Sequence, residues 1–150
     1  LVLSCELRPQ LRMIDQAHQF VLGRIIAALQ SLDVTAELAG TSDLSWQNRK
    51  FSGNSLRSKR THLLYHGTLL YDFSLPLVSK YLASPPRQPE YRQGRNHDGF
   101  LANVPVSRDA LQTALYAAWQ PATTCNSWPE QRTQELVANK YSQDDWNGRF

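Results

Sequence analysis

From Arg49 to Arg60 the chain carries five cationic side chains and no acid, and Gly53-Asn54 interrupts that run in the middle. A turn signal, Gln47-Asn48, opens the stretch. Behind the basic run come Leu63-Leu64-Tyr65, then His66-Gly67-Thr68, then Leu69-Leu70-Tyr71. This pattern predicts two extended segments joined around a basic turn, with Lys50 and His66 at matching places on neighbouring strands. Gly53 follows Lys50 at three residues, so a substrate can approach the backbone closely while the ammonium faces its charged group. On these residues alone two readings stay open. One is a solvated basic face with a structural histidine; the other is an anion-binding or catalytic site.

The rest of the chain reads as support for that stretch. Leu1 to Leu7 is an apolar run suited to a buried strand, ended by Arg8-Pro9. Between Met13 and Leu32, the residues Ile14, Ala17, Val21, Ile25, Ala28 and Leu32 share one helical face, with His18 as a half-exposed neighbour. Val34 to Leu38 reads as a strand leading to Gly40 and a polar turn, Thr41-Ser42-Asp43, in which Asp43 suits an Asx-turn. Leu75 to Leu82 is a short helix. The segment from Ala83 to Asn96 has little periodicity, and its Arg87, Arg92 and Arg95 are read as solvent-facing or packing residues. Ser107 is placed as the N-cap of a helix running to about Trp119. Thr123 to Asn126 reads as a strand, and Ser127-Trp128-Pro129-Glu130 starts a last helix that reaches about Tyr141. Strands and helices are interleaved, which makes the class α/β (α+β).

Composition narrows the function classes. A chain of 150 residues that is 41% apolar can bury one sizeable core, so residues 1–150 are read as a single domain. A net charge of +3 is too mild for a nucleic-acid binder, because the positives are local. No stretch approaches the roughly eighteen apolar residues of a membrane span, and no signal-peptide pattern is present. Cys5 and Cys125 form no C-x-x-C and read as reduced thiols, which points to a cytoplasmic setting. The chain begins at Leu1 inside an apparent strand, so a fragment is expected.

Three motifs then carry a resemblance. Gly40-Thr41-Ser42-Asp43-Leu44, Arg49-Lys50-Phe51-Ser52-Gly53-Asn54-Ser55 and His66-Gly67-Thr68-Leu69-Leu70 occur in that order. They resemble the G-x-[NS]-D-L, [GR]-[RK]-K-[IVF]-S-G-[NS]-[AS] and H-G-T-L-L segments of the lipoate–protein ligase family. Trp146-Asn147-Gly148-Arg149-Phe150 is similar to the segment that closes the family's catalytic domain. The resemblance implies a mixed, mostly antiparallel sheet flanked by helices, as in biotin ligases and class II aminoacyl-tRNA synthetase cores. It implies activation of lipoate with ATP as lipoyl-adenylate, then transfer to a lysine of a lipoyl domain. The acceptors would be the acyltransferases of 2-oxo acid dehydrogenases or the glycine cleavage H protein, with no nucleic acid or membrane partner.

By the same resemblance, Lys50 is the catalytic residue, placed on the acyl carbonyl and α-phosphate, where a fixed ammonium stabilises developing negative charge. Ser42, Asp43, Gly53, Asn54, Ser55, His66, Gly67 and Thr68 are the substrate- and adenylate-binding candidates. Asp43 is also the candidate for Mg2+, a hard cation suited to carboxylate oxygen. Leu63, Leu64 and Leu70 are read either as walls of an aliphatic slot or as core. The family's glycine-rich R-R-x-x-G-G-G segment is absent, so residues 1–150 alone are expected to make little adenylate. The alternatives are an octanoyl or lipoyl transferase with a cysteine nucleophile, although Cys5 and Cys125 match neither of its known places, and a non-catalytic nucleic-acid-binding module using Arg49–Arg60.

Overall fold

The computed structural model describes residues 1–121 and 126–149. The chain forms two compact units, Leu1–Gln120 and Pro121–Phe150. The first contains β1 (Val2–Ser4), α1 (Ile14–Gln30), β2 (Ala36–Ala39), β3 (Asp43–Trp46), β4 (Arg49–Ser58), β5 (His62–Leu69), α2 (Pro76–Tyr81), α3 (His97–Phe100) and α4 (Arg108–Trp119). Its strands make one antiparallel sheet in the order β1-β5-β4-β3-β2. A parallel component is present as an isolated bridge between Lys50 and Leu101. The expected α/β class with a mostly antiparallel sheet is therefore the observed one.

Local chemistry explains the element ends. The first strand stops at Ser4, earlier than expected, because the Ser4 hydroxyl accepts from the Glu6 and Leu7 backbone N–H groups at 3.2 and 3.3 Å. That bonding curls the chain into a turn and leaves Leu7 exposed. Gln47 and Asn48 have φ of 50° and 58°, and Trp46 pairs with Arg49. Two positive-φ residues in a two-residue loop match the twist of the strands they join, as the turn signal predicted. Gly53-Asn54, by contrast, interrupts the basic run without breaking the strand. β4 continues through it, and the chain reverses only beyond Ser58.

One irregularity in the ladder decides the site. Leu44 pairs with Ser52, but the next residue, Ser45, pairs with Lys50, so Phe51 is an extra residue in β4. A bulge like this shifts the side-chain alternation by one. Phe51 and Ser52 are consequently both buried. The disturbed backbone is still bonded: the Lys50 carbonyl accepts from Ala102 N–H and the Phe51 carbonyl from Leu70 N–H, at 2.9 and 2.8 Å.

Helices α1 and α4 cover one sheet face. Ala17, Val21, Leu22, Ile25 and Leu29 pack there with Leu44, Phe51, Leu63, Tyr65 and Leu111. His18 belongs to this core. It is 6% exposed rather than half-exposed, because its Nδ1 meets the Tyr65 hydroxyl at 2.8 Å, which satisfies both polar groups without water. Ser107 caps α4 by accepting from Ala110 N–H at 3.2 Å, as expected, and Arg24 donates to the Ala118 carbonyl at its far end. Arg92 and Arg95 are packing residues whose guanidinium groups lie 4.7 and 5.4 Å from the Phe100 ring centre. Arg87 faces solvent.

In the second unit α5 (Glu130–Leu136) runs into a π-helical turn, Val137–Tyr141, followed by α6 (Asp144–Asn147). Pro129, not Ser127, occupies the cap position of α5. The Lys140 ammonium and the Arg149 guanidinium lie over the Trp146 ring, 4.1 and 4.4 Å from its centre. The strand expected over Thr123–Asn126 falls on Thr123, Thr124 and Cys125, which lie outside the described residues. No helix among the described residues is long and apolar enough to cross a membrane.

Candidate active site

The site occupies the sheet face that α1 and α4 leave open. Tyr65 and His66 are neighbours on β5, so Tyr65 bonding to α1 sends His66 to the other face. Thr68 shares that face with His66. Across the ladder, Ser55 pairs with His66, Gly53 with Thr68 and Asp43 with Gly53. The bulge at Phe51 brings Lys50 to the same side. In a regular strand, residues three apart would point to opposite faces.

Lys50 Nζ lies 2.8 Å from Asp43 Oδ1, with the two side chains 28% and 16% exposed. Gly53 makes this possible. A Cβ there would stand 3.2 Å from Lys50 Nζ and 3.3 Å from its Cε, so glycine leaves room for the ammonium to lie against the strand. Asp43 Oδ2 accepts a hydrogen bond from the Tyr91 hydroxyl at 2.7 Å. Burial first, and the Asp43 hydrogen bond second, hold the Tyr91 proton far above its ordinary pKa, so Tyr91 is a donor at all physiological pH values.

Around this pair lies a cleft of about 390 Å³ lined by Asp43, Lys50, Gly53, Asn54, Ser55, His66, Gly67 and Thr68. Eight of the nine residues singled out in the sequence therefore line one cavity. Ser42 is the ninth. Its hydroxyl donates to the Asn54 carbonyl at 2.9 Å, and the Asn54 amide returns a bond to the Ser42 carbonyl at 2.8 Å and another to the Ser52 hydroxyl at 2.9 Å. These bonds tie the entry of β3 to β4. A side chain at Gly67 would collide with the Asn54 carboxamide, so Gly67 is the residue that admits this clasp.

Some expectations need correcting. His66 faces Ser55, not Lys50, because the β4–β5 ladder runs only from Ser52 opposite Leu69 to Ser58 opposite Leu63, and Lys50 lies beyond it, paired with Ser45 of β3. Leu63 is a core residue facing the helices. Leu64 is on the open face, 45% exposed, and pairs with Val2, which is 71% exposed. Leu70 only packs against the core. Asp43 is a strand residue with both carboxylate oxygens engaged, not a turn residue. No cluster of three or more His, Cys, Asp or Glu side chains that could hold a metal occurs among the described residues. Tyr91 escaped the sequence reading because its segment has no periodicity and a lone tyrosine carries no motif.

Residues 1–107 match the family described as the lipoyl protein ligase A/B catalytic domain. The chain belongs to that family. Among curated relatives, it is 25% identical over 153 residues to the lipoate-protein ligase A of Psychrobacter cryohalolentis, covering 91% of this chain and 44% of the relative. The chain spans less than half the length of the first curated relatives it matches. Among solved structures, it superposes on a chain from the bipartite lipoate protein ligase and E2 lipoyl domain of Thermoplasma acidophilum. That match has a TM-score of 0.72 and 22% identity, covering 89% of this chain and 58% of the other. A lipoate-protein ligase A bound with ATP gives a TM-score of 0.70 and 22% identity, covering 90% and 59%. At these identities the structures establish a shared lipoyl ligase fold. The open-face cleft sits on the three segments that drew the family resemblance.

Proposed function

We propose that this chain is the Lys50-bearing part of an ATP-dependent lipoate–protein ligase, which forms lipoyl-adenylate and passes the acyl group to a lysine of a lipoyl domain. The observation that carries the reading is the Lys50 ammonium, seated by Asp43 and given room by Gly53 at the edge of the open-face cleft. An ammonium has three N–H donors. One is taken by Asp43, which leaves two for a phosphate oxygen and the acyl carbonyl oxygen. Both oxygens gain negative charge as the adenylate forms and as the acceptor amine attacks, and a cation already in place stabilises that charge without rearrangement. Ser55, His66 and Thr68 contribute polar side chains beside it, while Gly53 keeps the floor low enough for close approach. The uncovered pair Val2 and Leu64 continues the same face past His66 and suits the aliphatic chain of lipoate.

ATP and the lipoyl domain come to this reading from the structural neighbours, one bound with ATP and one solved with its E2 lipoyl domain. The glycine cleavage H protein as a second acceptor, and a cytoplasmic setting, are further parts of the proposal. Asp43 would serve Mg2+ through a carboxylate lone pair not used by Lys50 or Tyr91. Magnesium usually takes one or two carboxylates together with phosphate oxygens and retains waters, so the phosphates would supply most of its ligands. Among the described residues the cysteine-dependent alternative gains no support, since Cys5 is fully buried in the core and does not line the cleft.

The test is lipoate-dependent ATP–pyrophosphate exchange by the full-length protein, followed by acyl transfer to an apo lipoyl domain. Exchange that persists when Cys5 and Cys125 are replaced by alanine is the expected result. Transfer from an acyl carrier protein that needs a cysteine and no ATP would overturn it.

A further inference from the structure

We infer that Tyr91 is a positioning residue for the Lys50 ammonium, acting entirely through Asp43. The inference rests on the ligase reading of the cleft. Tyr91 lies on a short 3-10 turn, Glu90–Arg92, remote in sequence from every motif that forms the site. Its ring packs on Phe100, with the ring centres 5.2 Å apart, beside the Gly40 turn into β3, where φ is +58°. Arg95 fastens the backbone below it, donating to the Tyr91 carbonyl at 2.6 Å and the Asn48 carbonyl at 2.8 Å. With the ring on Phe100 and the backbone fastened by Arg95, the hydroxyl meets Asp43 Oδ2 at 2.7 Å.

The consequence for Lys50 is geometric. A carboxylate with one oxygen fixed presents the other in a single direction, and here Asp43 Oδ1 meets Lys50 Nζ at 2.8 Å. Asp43 then claims one of the three lysine donors and leaves the remaining two facing the cleft. Without the tyrosine hydroxyl the carboxylate can rotate and draw the ammonium toward both oxygens. Donors would then be taken from the substrate side, and the Lys50 geometry that the transition state needs would be less populated. The segment that the sequence shows as an irregular, proline-rich loop thus ends in a brace for the catalytic cation.

The experiment uses Tyr91→Phe, which keeps the ring and its packing against Phe100, in the full-length protein. Lipoate-dependent exchange should lose kcat by about tenfold, the order expected for one hydrogen bond to a charged group, while the lipoate KM stays within about twofold. In a background of Asp43→Asn, adding Tyr91→Phe should bring less than about a twofold further loss, because the path through Asp43 is already cut. Full additivity of the two changes, or a Tyr91→Phe enzyme with wild-type kcat, overturns the inference. Lys50→Ala serves as the reference. If it too leaves exchange intact, the ligase reading of the cleft fails; if it abolishes exchange while Tyr91→Phe does nothing, only the role of Tyr91 fails.

Discussion

Lys50 and Gly53 lie against each other on one face of β4, although residues three apart in a regular strand point to opposite faces. The extra residue Phe51 reverses the alternation between them. The same bulge sends the Phe51 ring into the core, where it is completely buried. Site geometry and core packing are thus two results of one backbone irregularity, and four expectations follow from it and its surroundings.

Lys50→Ala should lower exchange by roughly 10²–10³ with little change in thermal stability, because it removes a charge contact made in the transition state. Lys50→Arg should also fail, since a planar guanidinium cannot take an ammonium's place between Asp43 and Gly53. Lys59 is exposed at the end of β4, and Lys59→Ala should cost at most a modest factor that shrinks as salt is raised. Equal small effects at the two lysines would refute the assignment.

Gly53→Ala tests the room beside the ammonium. Its Cβ would press on Lys50 Nζ and Cε at 3.2 and 3.3 Å, and the flexible end of the lysine can yield. The fold should therefore survive while activity drops about tenfold, since a displacement of a few tenths of an ångström at a positioned group already costs rate. Unchanged kcat, together with an unchanged melting temperature, would show that Lys50 does not need this seat.

Gly67→Ala should behave in the opposite way, as a stability variant first. The added methyl displaces the Asn54 carboxamide and with it the bonds to Ser42 and Ser52. Loss of those bonds is expected to cost about 1–3 kcal/mol in denaturant unfolding. Asn54→Ala in the same background should add little, because its bonds are already broken.

His18→Leu replaces a buried ring that is hydrogen-bonded to the Tyr65 hydroxyl, and removes that hydroxyl's partner in the core. A destabilisation of about 1–3 kcal/mol is expected. Tyr65→Phe in the same chain should recover part of it, because removing both partners is cheaper than removing one. Equal unfolding free energies for His18→Leu with and without Tyr65→Phe would count against the pairing.

Much of this protein was legible before any coordinates. Apolar spacing marked α1 through Ala17, Val21 and Ile25, Ser107 announced the start of α4, and Gln47-Asn48 announced the β3–β4 turn. These are local signals, each set by a few residues and their backbone preferences. The motifs also named nine candidates, eight of which line the cleft. What the sequence could not decide was register and partner choice. Nothing local marks Phe51 as an extra residue, because a bulge is settled by which ladder buries Phe51 and Ser52 together. Nothing in the irregular segment before α3 points Tyr91 at Asp43, since that bond spans 48 residues and exists only once the fold packs the ring on Phe100 beside β3. His18 likewise takes its buried place from Tyr65, 47 residues away. Backbone preference and apolar periodicity act over a few residues and are written in the chain; the direction of a polar side chain is set by what the rest of the fold brings beside it.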